Sequence, residues 1–173
     1  MPLVATECGY WNADVMGIDE KSAVELEIKI SKADLKADFT KKADKHFMYM
    51  NPELTKWTPS HFYFLVTKEL EFEAIKLVEE KAPRYGVLVY EEKVKQPKPG
   101  VKRKRKRSKT KGLKGEIRLA KKAYKLHENT PSPQLMDNVL TRASSELCRA
   151  YIDWQELSDR LETANDPNDK GKP

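Results

Sequence analysis

The chain has 173 residues, of which 39% are hydrophobic and 35% are charged, and its formal net charge is +6. This length suits one folded domain with an extension, and the apolar content is sufficient for a modest core. No stretch approaches the about 20 apolar residues that cross a membrane, and no secretory signal marks the start. The unpatterned Cys8 and Cys148 favour a reducing cytosol over a disulfide scaffold.

Two strands joined by a turn are predicted near the start. Residues 10–18 are largely apolar, residues 19–22 have a turn composition, and residues 23–30 alternate regularly between apolar and charged. A period of two places successive side chains on opposite faces of a strand. One face then carries aliphatic side chains, and the other carries Glu25, Glu27 and Lys29.

The following residues predict alternating helices and strands. Ser31 is a good N-cap for a helix over residues 32–45, and residues 69–82 carry an apolar stripe at helical spacing. Short apolar runs at residues 61–66 and 87–90 predict buried strands. This order of elements indicates an α/β fold with a mixed central sheet flanked by helices.

Positive charge is concentrated after this core. Of the 33 Lys and Arg residues, 14 lie in residues 98–125 together with a single Glu, so the remainder of the chain is net acidic. The composition predicts an α/β core over residues 1–95 and a basic linker with Pro and Gly over residues 96–115. A C-terminal helical region with a disordered tail is expected over residues 116–173.

A long C-terminal helix is predicted over residues 132–163. Ser132 is a capping residue, and Pro133 suits the first helical position. Apolar residues recur along it at three- and four-residue steps. They indicate packing onto the chain's own sheet or, alternatively, pairing in a homodimer or with another protein.

The charged residues of the first two strands are candidate metal ligands. Mg²⁺ prefers hard oxygen ligands and keeps several waters, so one or two carboxylates suffice. Asp14 and Glu27 are expected on neighbouring strands, and the carbonyl of Ile28 is a further candidate ligand. Lys29 shares a face with Glu27, where it could orient or deprotonate a water that attacks a phosphodiester. The alternative is an ordinary strand whose charged face is solvated.

A longer motif surrounds these residues. It comprises Asp14, then Glu25-Leu26-Glu27-Ile28-Lys29, Ser31-Lys32-Ala33-Asp34-Leu35 and Lys45-His46, with residues 59–66 and 85–90 further along. The motif resembles the metal-site half of the PD-(D/E)XK, or restriction-endonuclease-like, nuclease superfamily. It is most similar to small phage and bacterial members, some of them described as DNA-repair proteins.

The resemblance implies specific roles for several residues. Asp14 and Glu27 would be metal ligands, Lys29 would be the catalytic lysine, and Glu25 is a lesser candidate on the same face. The implied cofactor is Mg²⁺ or Mn²⁺, and the implied fold is a restriction-endonuclease-like core.

Other ionisable residues have competing interpretations. Asp34 and Asp38 either pair with nearby lysines or support the site from a second layer. His46 is favoured as a helix cap over a proton donor or phosphate contact. His61 and His127 lack metal-ligand spacing with the cysteines, so no zinc site is predicted.

The basic linker is a candidate nucleic-acid contact. Its side chains can neutralise phosphates, which would make binding strongly salt-dependent. The candidate contacts are Lys102, Arg103, Lys104, Arg105, Lys106, Arg107, Lys109 and Lys111. A solvated linker is one alternative, and a nuclear import signal is another if the chain is eukaryotic.

These features predict a Mg²⁺-dependent protein that binds and cleaves DNA in phage or bacterial DNA processing. The expected compartment is the cytoplasm, or the host cytoplasm if the chain is phage-encoded, with no membrane partner. The alternative is a non-catalytic factor on the same fold that binds nucleic acid or protein, such as a phage accessory protein.

Overall fold

Six strands form one mixed sheet in the computed structural model, which describes residues 2–92 and 115–164 and side chains as far as residue 157. The strands lie side by side in chain order: β1 (Leu3–Cys8), β2 (Ala13–Ile18), β3 (Ala23–Lys29), β4 (His61–Thr67), β5 (Gly86–Glu92) and β6 (Gly115–Lys121). The pairs β3–β4 and β4–β5 are parallel, and the other neighbouring pairs are antiparallel. The predicted α/β class with a mixed sheet is confirmed.

Four α-helices accompany the sheet, with two short 3₁₀ segments over Pro52–Leu54 and Lys68–Leu70. The helices are α1 (Lys32–Lys41), α2 (Ala43–Met50), α3 (Glu71–Lys81) and α4 (Pro133–Ala164). The single helix predicted over residues 32–45 is interrupted, because the backbone of Lys42 leaves helical geometry (φ −113°, ψ 36°). The long C-terminal helix is confirmed. Within the described ranges, the helices are too short or too polar to cross a bilayer.

Local hydrogen bonds set the ends of the early elements. Asp19 Oδ1 accepts the N–H groups of Lys21 and Ser22 at 2.8 Å each, which forms the predicted turn between β2 and β3. The Ser31 hydroxyl accepts the N–H of Asp34 at 3.1 Å and caps α1 as predicted. A turn containing Asn12 (φ 56°) links β1 to β2, so β2 begins later than predicted. The sequence analysis did not predict β1.

All four helices pack on the same face of the sheet. Residues paired across a ladder share a face, and the register aligns Met16 with Glu25 and Glu25 with Phe62. Met16 packs in a cluster with Leu135 and Val139 of α4. Phe62 packs in a second cluster that contains buried residues of α1, α2 and α3. The helix-covered face is therefore the face that carries Glu25.

The opposite face of the sheet is open among the described residues. It carries exposed aliphatic side chains, which include Val4 (57%), Ile28 (43%), Ile117 (55%) and Leu119 (55%). Ile117 and Leu119 belong to β6, a strand that the sequence analysis did not predict. We refer below to this surface as the open sheet face.

Candidate active site

The charged side chains of β3 point into the helix-covered interior. Glu25 and Glu27 have no exposed surface and Lys29 is 5% exposed, whereas Ile28 and Ile30 are 43% and 77% exposed. The alternative of a solvated charged face is therefore wrong. These charges can be buried because α1 and α2 bring ionisable partners of opposite charge to this face.

Lys45 of α2 joins two of the buried carboxylates. Its ammonium lies 2.5 Å from Glu25 Oε1 and also contacts Glu27 Oε1, and the residue has no exposed surface. The Tyr49 hydroxyl donates a hydrogen bond to Glu25 Oε2 at 2.5 Å. Burial raises the pKa of Glu25 despite the attraction of Lys45. Burial also opposes the charge on Lys45, but the two carboxylates outweigh it and raise the pKa of Lys45, which stays protonated.

Glu27 has three lysine neighbours. The Lys42 ammonium lies 2.8 Å from Oε1, which Lys45 also contacts, and the Lys29 ammonium lies 3.3 Å from Oε2. Burial alone would raise the pKa of Glu27, but the attraction of Lys45 and Lys42 outweighs it and lowers that pKa. Glu27 is therefore ionised at neutral pH. Its Oε2 makes one long contact and retains capacity to accept another ligand.

Two aspartates of α1 hold the ammonium group of Lys29. Asp38 Oδ1 lies 2.6 Å from Lys29 Nζ, and the more exposed Asp34 lies 3.9 Å away through Oδ2. Burial alone would lower the pKa of Lys29, but the hydrogen bond and negative charge of Asp38 raise it. Lys29 is therefore a fixed cation. The supporting role that the sequence analysis kept open for Asp38 has a structural basis in this contact.

His46 holds Asp38 from the other side. Because a carboxylate only accepts, His46 Nε2–H donates to Asp38 Oδ2, at 2.9 Å. The other ring nitrogen lies 3.1 Å from the Tyr85 hydroxyl, and the ring stacks on Phe39 at 4.3 Å. The favoured interpretation of His46 as a helix cap is wrong, because its ring bonds side chains on both sides and is 2% exposed.

Asp14 reaches the same region from β2. The pairing of β2 with β3 runs as far as Val15 opposite Leu26, and Asp14 is the next residue of β2. Asp14 is half-buried, and its Oδ2 accepts the N–H of Ile28 at 2.7 Å. The Asp14 carboxylate therefore lies beside the part of the β3 backbone that joins Glu27 to Lys29, and its use as a metal ligand stays a prediction.

The cluster offers carboxylate oxygens, the ligand type that Mg²⁺ prefers. It contains five carboxylates and three lysines: Asp14, Glu25, Glu27, Asp34 and Asp38 with Lys29, Lys42 and Lys45. Among the described residues, no group of three or more His, Cys, Asp and Glu side chains is arranged to hold a metal ion. Asp14 and Glu27 stay the candidate carboxylate ligands that the resemblance implies, and water would have to fill the remaining positions.

Several members of the cluster received no role from the sequence alone. They are Lys42, Lys45, Tyr49 and Tyr85. A signal was present for three of them, because Asp38, Lys42, Lys45 and Tyr49 recur at three- and four-residue steps, the spacing of one helix face. Tyr85 has no such signal, since it follows α3 and meets His46 only through the tertiary fold.

The remaining predicted site residues are Ile28 and the basic residues of the linker. The Ile28 side chain lies on the open sheet face, and the use of its carbonyl as a metal ligand stays a prediction. The predicted nucleic-acid contacts between Lys102 and Lys111 lie outside the described residues.

The chain was compared with protein-family models, with curated proteins and with solved structures, and none of the three comparisons found a match.

Proposed function

We propose that the protein is a Mg²⁺-dependent nuclease that hydrolyses phosphodiester bonds of DNA. The observation that carries this proposal is the buried pair of Glu27 and Lys29, 3.3 Å apart, with the Asp14 carboxylate bonded to the N–H of Ile28 between them and the Lys29 ammonium 2.6 Å from Asp38. A buried ion cluster is rarely the most stable way to fill a core, because apolar side chains of similar volume often do better. Ionisable groups with shifted pKa values concentrate at functional sites.

Each residue has a distinct proposed role. Asp14 and Glu27 would hold the metal, which would supply positive charge at the phosphate and help to activate the attacking water. Lys29 stays protonated because Asp38 raises its pKa, so it orients the water or stabilises developing negative charge and does not remove a proton. Asp38 and His46 are positioning residues that fix the ammonium group.

The basic linker is the proposed substrate contact. The strands β3, β4 and β5 are parallel, so their carboxyl ends meet at one edge of the sheet. Lys29 ends β3, and the chain leaves β5 after Glu92 to enter the basic linker. Lys29 is level with Val89 of β5, two strand spacings away, and Glu92 lies three residues further along, so the two points are roughly 14 Å apart. This arrangement supports delivery of a phosphate backbone from the linker to the site.

A metal-dependent cleavage assay tests the proposal. Supercoiled plasmid and linear DNA are incubated with the protein in Mg²⁺, in Mn²⁺ or in EDTA. Asp14→Asn is expected to lower the cleavage rate at least about 100-fold, because it removes a charged metal ligand. It should leave the fold intact, since the Asn side chain can still accept the Ile28 N–H.

Lys29→Met and Lys36→Met form a matched pair of lysine variants in that assay. Lys29 is buried in the cluster, whereas Lys36 is an exposed lysine of α1. Only the first is expected to abolish cleavage, and circular dichroism establishes whether each variant is folded. Wild-type protein that does not cleave DNA with either metal contradicts the proposal, as does a folded Asp14→Asn variant with the wild-type rate.

A non-catalytic binding factor is the second candidate. The observation that favours it is the complete burial of Glu27, both of whose oxygens already contact lysine. On that alternative the cluster only fixes β3 against α1 and α2. DNA binding would then persist in EDTA, and Asp14→Asn would leave both affinity and stability unchanged.

A further inference from the structure

The helix α4 has two parts with different surroundings. In its first part, Leu135 and Val139 are fully buried against the sheet, and Arg142 bonds Thr6 and Glu7 of β1. From residue 147 to residue 157 every side chain is exposed. The helix itself continues to residue 164, and residues 147–157 alone extend roughly 16 Å with no covering element among the described residues.

The exposed part of α4 is too apolar to be a solvated helix. Leu147 (73% exposed), Tyr151 (56%), Trp154 (61%) and Leu157 (56%) all lie within it. Isolated helices of this length are marginal in water, and most helical stability in proteins comes from packing an apolar face. A partner surface is therefore required to account for this segment.

The apolar residues follow a heptad repeat in which large and small side chains occupy different positions. With Leu140 as position a, the a positions are Leu140, Leu147, Trp154 and Leu161. The d positions are Met136, Ala143, Ala150, Leu157 and Ala164. Bulky side chains thus occupy every one of these a positions, while three of the five d positions are Ala.

We propose that the exposed part of α4 pairs antiparallel with the same segment of a second copy of this chain. Antiparallel pairing of residues 147–164 places a positions against d positions, so two of the three bulky a positions face Ala and the third, Trp154, faces Leu157. Parallel pairing would place Trp154 against Trp154, which crowds the interface, and Ala150 against Ala150, which leaves a cavity. The pairing is two-fold symmetric, as in most homodimers.

Charge along the helix favours the same orientation. Residues 140–150 carry Arg142, Arg149 and Glu146, a small positive excess. Residues 151–164 carry one Arg against four acidic residues. An antiparallel pair brings the basic part of one helix beside the acidic part of the other, whereas a parallel pair aligns like with like.

Sedimentation equilibrium of the full chain tests this proposal. At tens of micromolar, wild-type protein should have the mass of two 20.0 kDa chains. Trp154→Glu should be monomeric and folded, because Trp154 is 61% exposed and its ring stacks on Tyr151 of the same helix. Ile117→Glu, on the open sheet face, is the matched control and should stay dimeric. A monomeric wild type, a dimeric Trp154→Glu or a monomeric Ile117→Glu overturns the proposal.

Spin labels test the orientation of the pair. The exposed Cys148 is replaced by Ser and Glu162 by Cys, so that labels attach near the end of α4, while Cys8 is buried. Antiparallel pairing of residues 147–164 about their midpoint places the two labelled positions roughly 20 Å apart along the helix axes, from the helical rise. A distance close to the about 8–10 Å between the axes of packed helices indicates parallel pairing and overturns the antiparallel arrangement.

Discussion

Replacement of Lys45 by Met should destabilise the protein by about 3–5 kcal/mol at pH 7, because it removes the cation from a fully buried ion cluster. The effect falls mainly on Glu25. After the change, Glu27 still contacts Lys42 and Lys29, whereas Glu25 keeps only the hydrogen bond from the Tyr49 hydroxyl. One buried carboxylate is therefore left without a compensating charge.

Urea unfolding followed by circular dichroism measures this cost. Adding Glu25→Gln to Lys45→Met should recover much of the lost stability, because it removes the uncompensated charge. Adding Glu27→Gln should recover less, since that carboxylate is still neutralised. Lys36→Met, which removes an exposed lysine of α1, should change the unfolding free energy by no more than about 0.5 kcal/mol.

The pH dependence of the Lys45→Met variant provides a further test. Burial already raises the pKa of Glu25 above its ordinary value of 4.5, and the loss of Lys45 raises it further. At a pH between the ordinary pKa of Glu25 and its raised pKa in the folded variant, the folded variant binds a proton that the unfolded chain releases. The stability of the variant therefore falls as the pH rises from the first pKa to the second. A cost below about 1 kcal/mol, or rescue by Glu27→Gln and not by Glu25→Gln, would refute this reasoning.

Three more predictions concern the surroundings of the cluster. Burial alone would raise the pKa of Asp38, but His46 and Lys29 outweigh burial and hold that pKa well below its ordinary 3.8. Wild-type stability should therefore fall as the pH drops below about 4, and Asp38→Asn should remove this pH dependence in urea titrations. Tyr85→Phe should cost about 1–3 kcal/mol by thermal unfolding, because it leaves a buried His46 nitrogen without a partner. Gly86→Ala should lower the melting temperature, since an added Cβ would overlap the Tyr63 ring.

Much of the local structure was predictable because its causes are local. The Asp19 turn, the Ser31 cap and the alternation of β3 depend on residues a few positions apart. The strands β1 and β6 were not predicted, each for its own reason. The residues of β1 lack clean alternation, and β6 lies in a segment whose positive charge dominates its composition.

The orientation of β3 was not predictable from its own residues. Alternation establishes two faces but does not say which one the helices cover. The burial of Glu27 and Lys29 depends on Lys42, Lys45 and Asp38, which arrive from α1 and α2 only in the folded chain. The prediction of His46 as a helix cap failed for the same reason, because its contact with Asp38 forms only in the folded chain.

The rate of plasmid nicking under single-turnover conditions is the sharpest test of whether the cluster around Glu27 and Lys29 performs metal-dependent cleavage, as we propose. We expect nicking by wild-type protein that requires Mg²⁺ or Mn²⁺ and stops with EDTA. Nicking should fall at least about 100-fold in a folded Asp14→Asn variant. Wild-type protein that binds DNA but does not nick it with either metal would contradict the claim and would leave the cluster with a structural role.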